Sequence, residues 1–135
     1  ANLKDAQLDG AQLEGARLDE ADLTQAVLRN ANLARAHLPK AKLRGADLST
    51  TDLDGVNFAG LDLTGAKLTQ ASLRGADLRG TNLTDVDLEW AELEGADLDL
   101  VCAILLAEDR SGEGEHRAHG FPDDPRRYRV NALGG

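Results

Sequence analysis

Three histidines, one cysteine and twenty-four carboxylates are the side chains with chemistry to offer in this 135-residue chain. Proton transfer or nucleophilic attack needs a base within hydrogen-bond reach of an acid or nucleophile. A zinc site needs Cys and His at short, fixed spacings. Neither pattern is present. His37 stands alone, His116 and His119 lie in a polar, Gly-containing stretch, and Cys102 has no second cysteine to pair with. No phosphate-cradling Gly loop appears, because the glycines recur at a regular interval that has another cause. The chain therefore reads as non-catalytic, with no cofactor and no metal.

Charge is the more informative property. A formal net charge of −9 argues against direct binding to nucleic acid or to an anionic membrane, and it permits a basic protein partner. The charge is uneven: residues 81–100 hold seven acids and no base, while residues 21–80 together sum to +2. Within the acidic stretch, Asp87, Glu89, Trp90, Glu92 and Glu94 form the candidate partner-binding group. A solvated acidic face kept for solubility is the plainer alternative. For Trp90 itself two readings stand side by side: a ring covered by the C-terminal tail, or an anchor for a partner.

What positions these residues is a repeat. Leu stands at 3, 8, 13, 18 and 23, and at every fifth residue to Leu98, with Phe58 the one substitute. That makes twenty consecutive five-residue units without an insertion. Two residues before each Leu stands Ala in fifteen units, the exceptions being Thr51, Val56, Leu61, Thr81 and Val86. The residue just before Leu is mostly Asp, Asn or another polar type, and Gly often closes the unit. An α-helix advances about 500° in five residues, so these leucines spiral around it and give no apolar face. A flat strand alternates sides, so an odd period flips Leu at every unit. A chain that turns a corner once per unit keeps each Leu, and the small residue two before it, on the inside. The other three positions face out, and Gly with Asp or Asn supplies turn chemistry near the corner.

The pattern A(D/N)LxG, seen in Ala46-Asp47-Leu48, Ala76-Asp77-Leu78-Arg79-Gly80 and Ala96-Asp97-Leu98, resembles that of the pentapeptide-repeat family, and the resemblance spans residues 1–100. It implies an all-β fold, a right-handed quadrilateral β-helix with four units per coil. Five coils at ~4.8 Å each make a rod of roughly 24 Å. Two functions follow as expectations. The first is a non-catalytic scaffold for protein–protein interaction. The alternative comes from the resemblance, which includes DNA-mimicking rods that bind DNA gyrase or a related topoisomerase and confer resistance to gyrase poisons. Duplex DNA carries a charge about every 1.7 Å along its axis, which the middle coils do not match.

Extra volume gathers in and beside the third coil, residues 41–60, where Thr51, Val56, Phe58 and then Leu61 replace the usual residues. Local repacking is the expected result, and a bulge that shapes a binding surface is the alternative. Beyond residue 100 the pattern ends. Residues 101–135 are expected to form a short C-terminal capping helix, over about 99–109, and a flexible tail. Val101, Ile104, Leu105 and Leu106 would cover the last coil or form a homodimer contact. The apolar run Leu100 to Ala107 is too short to span a bilayer, and no secretory signal is visible, so a cytoplasmic location is expected. Ala1 stands inside a repeat without an initiator Met, which leaves open a removed upstream segment or a longer parent protein.

Overall fold

The computed structural model describes residues 1–98. The expected helix over 99–109, the tail, and the run containing Val101, Ile104, Leu105 and Leu106 lie outside the described residues.

Parallel bridges join residues twenty apart: Asn2 to Asp22, Gln7 to Val27, Gln12 to Asn32, Arg17 to His37, and so on to Asp77 and Asp97. Twenty residues are four units, so the chain completes one square coil every four units and stacks on itself. The coils run 1–20, 21–40, 41–60, 61–80 and 81–98. Each face stacks one unit from every coil. The first face takes the units that begin at 1, 21, 41, 61 and 81, and the second, third and fourth faces follow in chain order.

The first and third residues of each unit point inward. Leu23, Leu48 and Leu78 are buried, as are Ala26, Ala46 and Ala71. In the first coil Leu3, Leu8, Leu13 and Leu18 are only partly buried, since no described residue stacks on that end. The backbone satisfies itself between coils: Leu23 N–H donates to Lys42 C=O (2.8 Å), Gln25 N–H to Arg44 C=O (2.9 Å) and Lys42 N–H to Ala21 C=O (2.9 Å). This is a parallel ladder cut into short pieces by the corners.

Each corner is a four-residue turn. Ala26 N–H donates to Leu23 C=O at 3.0 Å, and Gln25, third in the turn, has φ 61°. A positive φ at that place is the mark of a type II turn. Every fifth residue from Asp5 to Gly95 shares it, nine of them Gly and ten not. The second residue of the turn has an N–H that the ladder does not use. Asp or Asn two positions earlier accepts it: Thr24 N–H donates to Asp22 Oδ1 (3.0 Å), Ala34 to Asn32 (3.0 Å) and Ser49 to Asp47 (3.1 Å). That local bond is why Asp and Asn precede so many leucines. In the one unit with His37 in that place, the turn residue is Pro39, which has no N–H to satisfy and a φ preset for this position.

The extra volume of the third coil is not absorbed by repacking alone; it opens the ladder. Phe58 and Leu61 both point inward, with Leu61 at 9 % the most exposed core residue. By the twenty-residue period Phe58 lies beneath Leu38, and Leu61 beneath Ala41. The bridges due between His37 and Asn57 and between Lys42 and Asp62 do not form. Among the described residues the N–H groups of Leu38, Lys40, Leu43, Asn57 and Asp62 find no backbone acceptor. On its other side the same segment stays bonded, with Phe58 N–H to Asp77 C=O at 2.7 Å and Asn82 N–H to Leu61 C=O at 2.9 Å. A phenyl ring and a leucyl group stand here in places sized for Leu and Ala, and the loss is local, since Arg35 N–H still donates to Asp54 C=O and Gly45 N–H to Thr64 C=O, both at 2.9 Å.

Candidate functional site

In the fifth coil the second face ends on Val86-Asp87-Leu88-Glu89-Trp90. Val86 and Leu88 are buried, so the alternation turns Asp87 and Glu89 outward, Glu89 being half-buried. The Asp87 carboxylate accepts the Glu89 N–H at 3.0 Å and so lies along the face. Trp90 occupies the corner with φ 64° and with 57 % of its surface exposed. The third face then opens with Glu92 and Glu94, both exposed around buried Leu93. The five expected residues therefore come together, wrapped around one edge of the rod rather than spread on one flat side.

Stacking also brings up neighbours that reading along the chain conceals. Lys67 bridges to Asp87 and Ser72 to Glu92. Arg74 stands twenty residues before Glu94 on the same face and reaches away to Asp54, at 3.5 Å. Of the other acids of this coil, Asp85 sits on the corner between the first and second faces, and Asp97 is on the fourth face. Asp99 lies outside the described residues. The acidity is thus a belt around the fifth coil, and among the described residues the Trp90 corner joins it to an aromatic ring.

Over the rest of the rod, arginines pair with many of the carboxylates. Arg29 stands between Asp9 (3.4 Å) and Asp47 (3.9 Å), Arg35 pairs with Glu14, and Arg44 with Asp62 at 3.0 Å. Arg79 pairs with Asp77 at 2.6 Å and approaches Asp97 at 3.7 Å. Exposed pairs of this kind add little stability, but they neutralise the surface. The Thr64 hydroxyl, then its backbone N–H and Arg44, hold the Asp62 carboxyl below its ordinary range. Arg79 does the same to Asp77 by hydrogen bond and by charge, and Thr24 to Asp22 through its side chain and backbone. Carboxylates so engaged are occupied within the rod.

A second feature, which the sequence pointed to only as extra volume, is a cleft of about 460 Å³ at the open seam. His37, which is exposed, lines it together with Arg35, Lys40 and Asn57. Among the described residues no three His, Cys, Asp or Glu side chains are grouped to hold a metal.

The family model for pentapeptide repeats (8 copies) matches residues 1–39, 31–70 and 62–99. Among solved structures, a pentapeptide repeat protein (Rfr23) from the cyanobacterium Cyanothece 51142 is 36% identical, with a TM-score of 0.58. The match covers 67% of this chain and 58% of that one, so this chain spans less than two thirds of that relative. A pentapeptide repeat protein from the Arabidopsis thaliana thylakoid lumen is 32% identical over 76% of this chain and 75% of that one, with a TM-score of 0.48. Full-length QnrB1, a plasmid-mediated fluoroquinolone resistance protein, is 22% identical over 78% of this chain and 73% of its own, with a TM-score of 0.35. No curated protein matches the sequence. With the family model and the Cyanothece structure beside the bridge pattern, the fold of residues 1–98 is the right-handed quadrilateral β-helix expected from the repeat.

Proposed function

Because this chain belongs to the pentapeptide-repeat family, we propose that it is a rigid rod which docks a basic protein partner on the corner formed by Asp87, Glu89, Trp90, Glu92 and Glu94. The family consists of non-catalytic binding scaffolds, and the chain is not an enzyme. One observation carries the choice of surface. An exposed tryptophan is held at a left-handed corner, a place that suits Gly and strains a bulky side chain. Ten corners of the rod carry a residue other than Gly at positive φ, so what sets this one apart is a large apolar ring, 57 % exposed, set between two pairs of carboxylates. Two carboxylates on each side of it complement an arginine, whose guanidinium can stack on the indole while it pairs with an acid.

Trp90 is the only tryptophan in the chain, so its fluorescence reports on this corner. Titration with an arginine-rich peptide should shift or quench it at low salt, and the effect should fade as salt is added. The double change Glu89→Lys, Glu92→Lys should abolish the response while the circular dichroism of the rod stays unchanged. An equal response in that variant would move the interface elsewhere.

A second reading, a DNA mimic bound by gyrase or another type II topoisomerase, draws on the same acidity. It is weakened by Arg29, Arg35, Arg44 and Arg79, which pair with carboxylates along the rod where a DNA mimic needs them bare. A supercoiling assay with DNA gyrase separates the two readings: inhibition, or protection from a gyrase poison, favours the mimic.

A further inference from the structure

Four arginines stand fourth in their units: Arg29, Arg44, Arg74 and Arg79. Three of them reach the acid eighteen residues on, which is second in the unit stacked next along the rod. Arg29 approaches Asp47 at 3.9 Å, Arg44 meets Asp62 at 3.0 Å and Arg79 approaches Asp97 at 3.7 Å. By the same rule the partner of Arg74 is Glu92, whose side chain is one methylene longer than those aspartates. Arg74 turns the other way and pairs with Asp54, twenty residues back, at 3.5 Å. Among the described residues none of the carboxylates of Asp87, Glu89, Glu92 and Glu94 forms an ion pair within 4.0 Å.

Asp54 is held in place for this. Elsewhere an Asp or Asn second in the unit accepts the N–H of the fourth residue, but this unit has Ser72 there, with a shorter side chain. The carboxylate of Asp54, from the coil before, takes over. Its Oδ1 accepts the Arg74 N–H at 3.0 Å and also the Ser72 hydroxyl, and its Oδ2 faces the guanidinium. Asp9 stands in the same relation to Arg29 without such anchors, and Arg29 spans both Asp9, at 3.4 Å, and Asp47. We propose, resting on the docking of a basic partner at the Trp90 corner, that Asp54 is a positioning residue for that site: by holding Arg74 back it keeps Glu92 and Glu94 bare for the partner. Without the charge on Asp54 the guanidinium turns to Glu92, since opposite charges on stacked units attract, and a partner arginine must then displace it. Neighbouring faces of the fourth coil thus differ in outcome: Arg79 reaches its acid in the fifth coil, and Arg74 leaves its own open.

The test uses the full chain, labelled with ¹⁵N, and an arginine-rich peptide. Asp54→Asn keeps an oxygen for the Arg74 N–H and the Ser72 hydroxyl and removes the charge that holds the guanidinium. It should weaken peptide binding about two- to fivefold at low salt, the range of one exposed ion pair, with the circular dichroism of the rod unchanged. Arg74→Gln should bind at least as tightly as the parent, and in that background Asp54→Asn should cost clearly less, because no cation remains to redirect. The Arg74 side-chain N–H resonance reads the same switch without peptide. Glu92→Gln should leave that resonance in place in the parent and move it in the Asp54→Asn variant. Three results overturn the proposal: an equal loss from Asp54→Asn in both backgrounds, which makes Asp54 a plain surface charge; parent-level binding by Asp54→Asn; or an Arg74 resonance that ignores Glu92 once Asp54 is neutral. A parent that binds no peptide sinks the docking reading instead, and the resonance then decides by itself whether Asp54 directs Arg74.

Discussion

Thr51 donates its hydroxyl proton to the carbonyl oxygen of Leu28, twenty-three residues earlier and one turn of the rod away, at 2.8 Å. Thr81 repeats the bond to Phe58 at the same distance and the same separation. The Leu28 carbonyl already receives the Ala31 N–H at 3.0 Å, so it accepts twice. A buried hydroxyl costs free energy unless it is bonded, and here the corner carbonyl of the coil before it is within reach. This is how Thr replaces Ala at an inward position without breaking the core.

Because the carbonyl keeps its backbone donor, Thr51→Val should be mild. It removes one neutral hydrogen bond, worth about 1 kcal/mol net, and leaves no donor or acceptor orphaned. Thermal unfolding of the variant should lie within a few degrees of the parent; a collapse of the fold would mean that the hydroxyl has a further task.

Leu48 and Asp47 are adjacent and should behave in opposite ways. Leu48 is fully buried in the middle coil, and Leu48→Asp places a carboxylate without a partner in the dry core, a cost of several kcal/mol. Asp47 faces out and accepts the Ser49 N–H at 3.1 Å, so Asp47→Ala loses one local bond of about 1 kcal/mol. Denaturant titration should find the first variant unfolded or nearly so and the second slightly weakened. Equal damage would overturn the inward and outward assignment.

The acid limb of stability should depend on Asp62 and Asp77. Both carboxyls are held below their ordinary values in the folded rod, Asp62 first by the Thr64 hydroxyl and Asp77 first by Arg79. A group whose folded value is depressed contributes stability above its unfolded value, about 3.9 for Asp, and loses it as pH falls through the folded value. Denaturant midpoints should therefore be flat at neutral pH on account of these groups and drop below about pH 4. Asp62→Asn keeps an oxygen for the Thr64 N–H but cannot titrate, so its acid limb should be shallower. An unchanged limb in the double change Asp62→Asn, Asp77→Asn would show that other carboxylates govern it.

The coil was legible because every leucine from Leu3 to Leu98 keeps one phase, and only a chain that turns at each unit puts them all inside. Which residues face out followed from the same phase. The seam was harder to read. Phe58 and Leu61 were visible as excess volume, but the bonds they break belong to Leu38 and Lys40, twenty residues away, and no local pattern marks those. The surroundings of the acidic corner were hidden for the same reason: Lys67 and Arg74 adjoin Asp87 and Glu94 only once the twenty-residue stacking is known. The reason for Pro39 emerged only with the turn, when the N–H it lacks proved to be one the ladder never uses. Val101, Ile104, Leu105 and Leu106 lie outside both the repeat and the described residues, so the five-residue phase that places the other apolar residues does not extend to them.

Trp90→Gly separates stability from binding at the acidic corner. At that corner the backbone has φ 64°, a conformation that costs a residue with a Cβ about 1–2 kcal/mol and costs Gly nothing. Gly repays part of this through the greater freedom it gives the unfolded chain, roughly 0.5–1 kcal/mol. The indole, 57 % exposed, still buries roughly 100 Å², about 2 kcal/mol at ~25 cal/mol per Å², which offsets the relief. The variant should therefore stay within about 1 kcal/mol of the parent, while it binds an arginine-rich peptide more weakly by calorimetry at low salt. Loss of the cation–π contact alone predicts a decrease of about 0.5–1 kcal/mol at an exposed site, with the carboxylates still supplying the salt-dependent remainder. A variant that is clearly less stable would show the ring to be part of the fold. One that binds as tightly as the parent would leave the corner to its carboxylates alone.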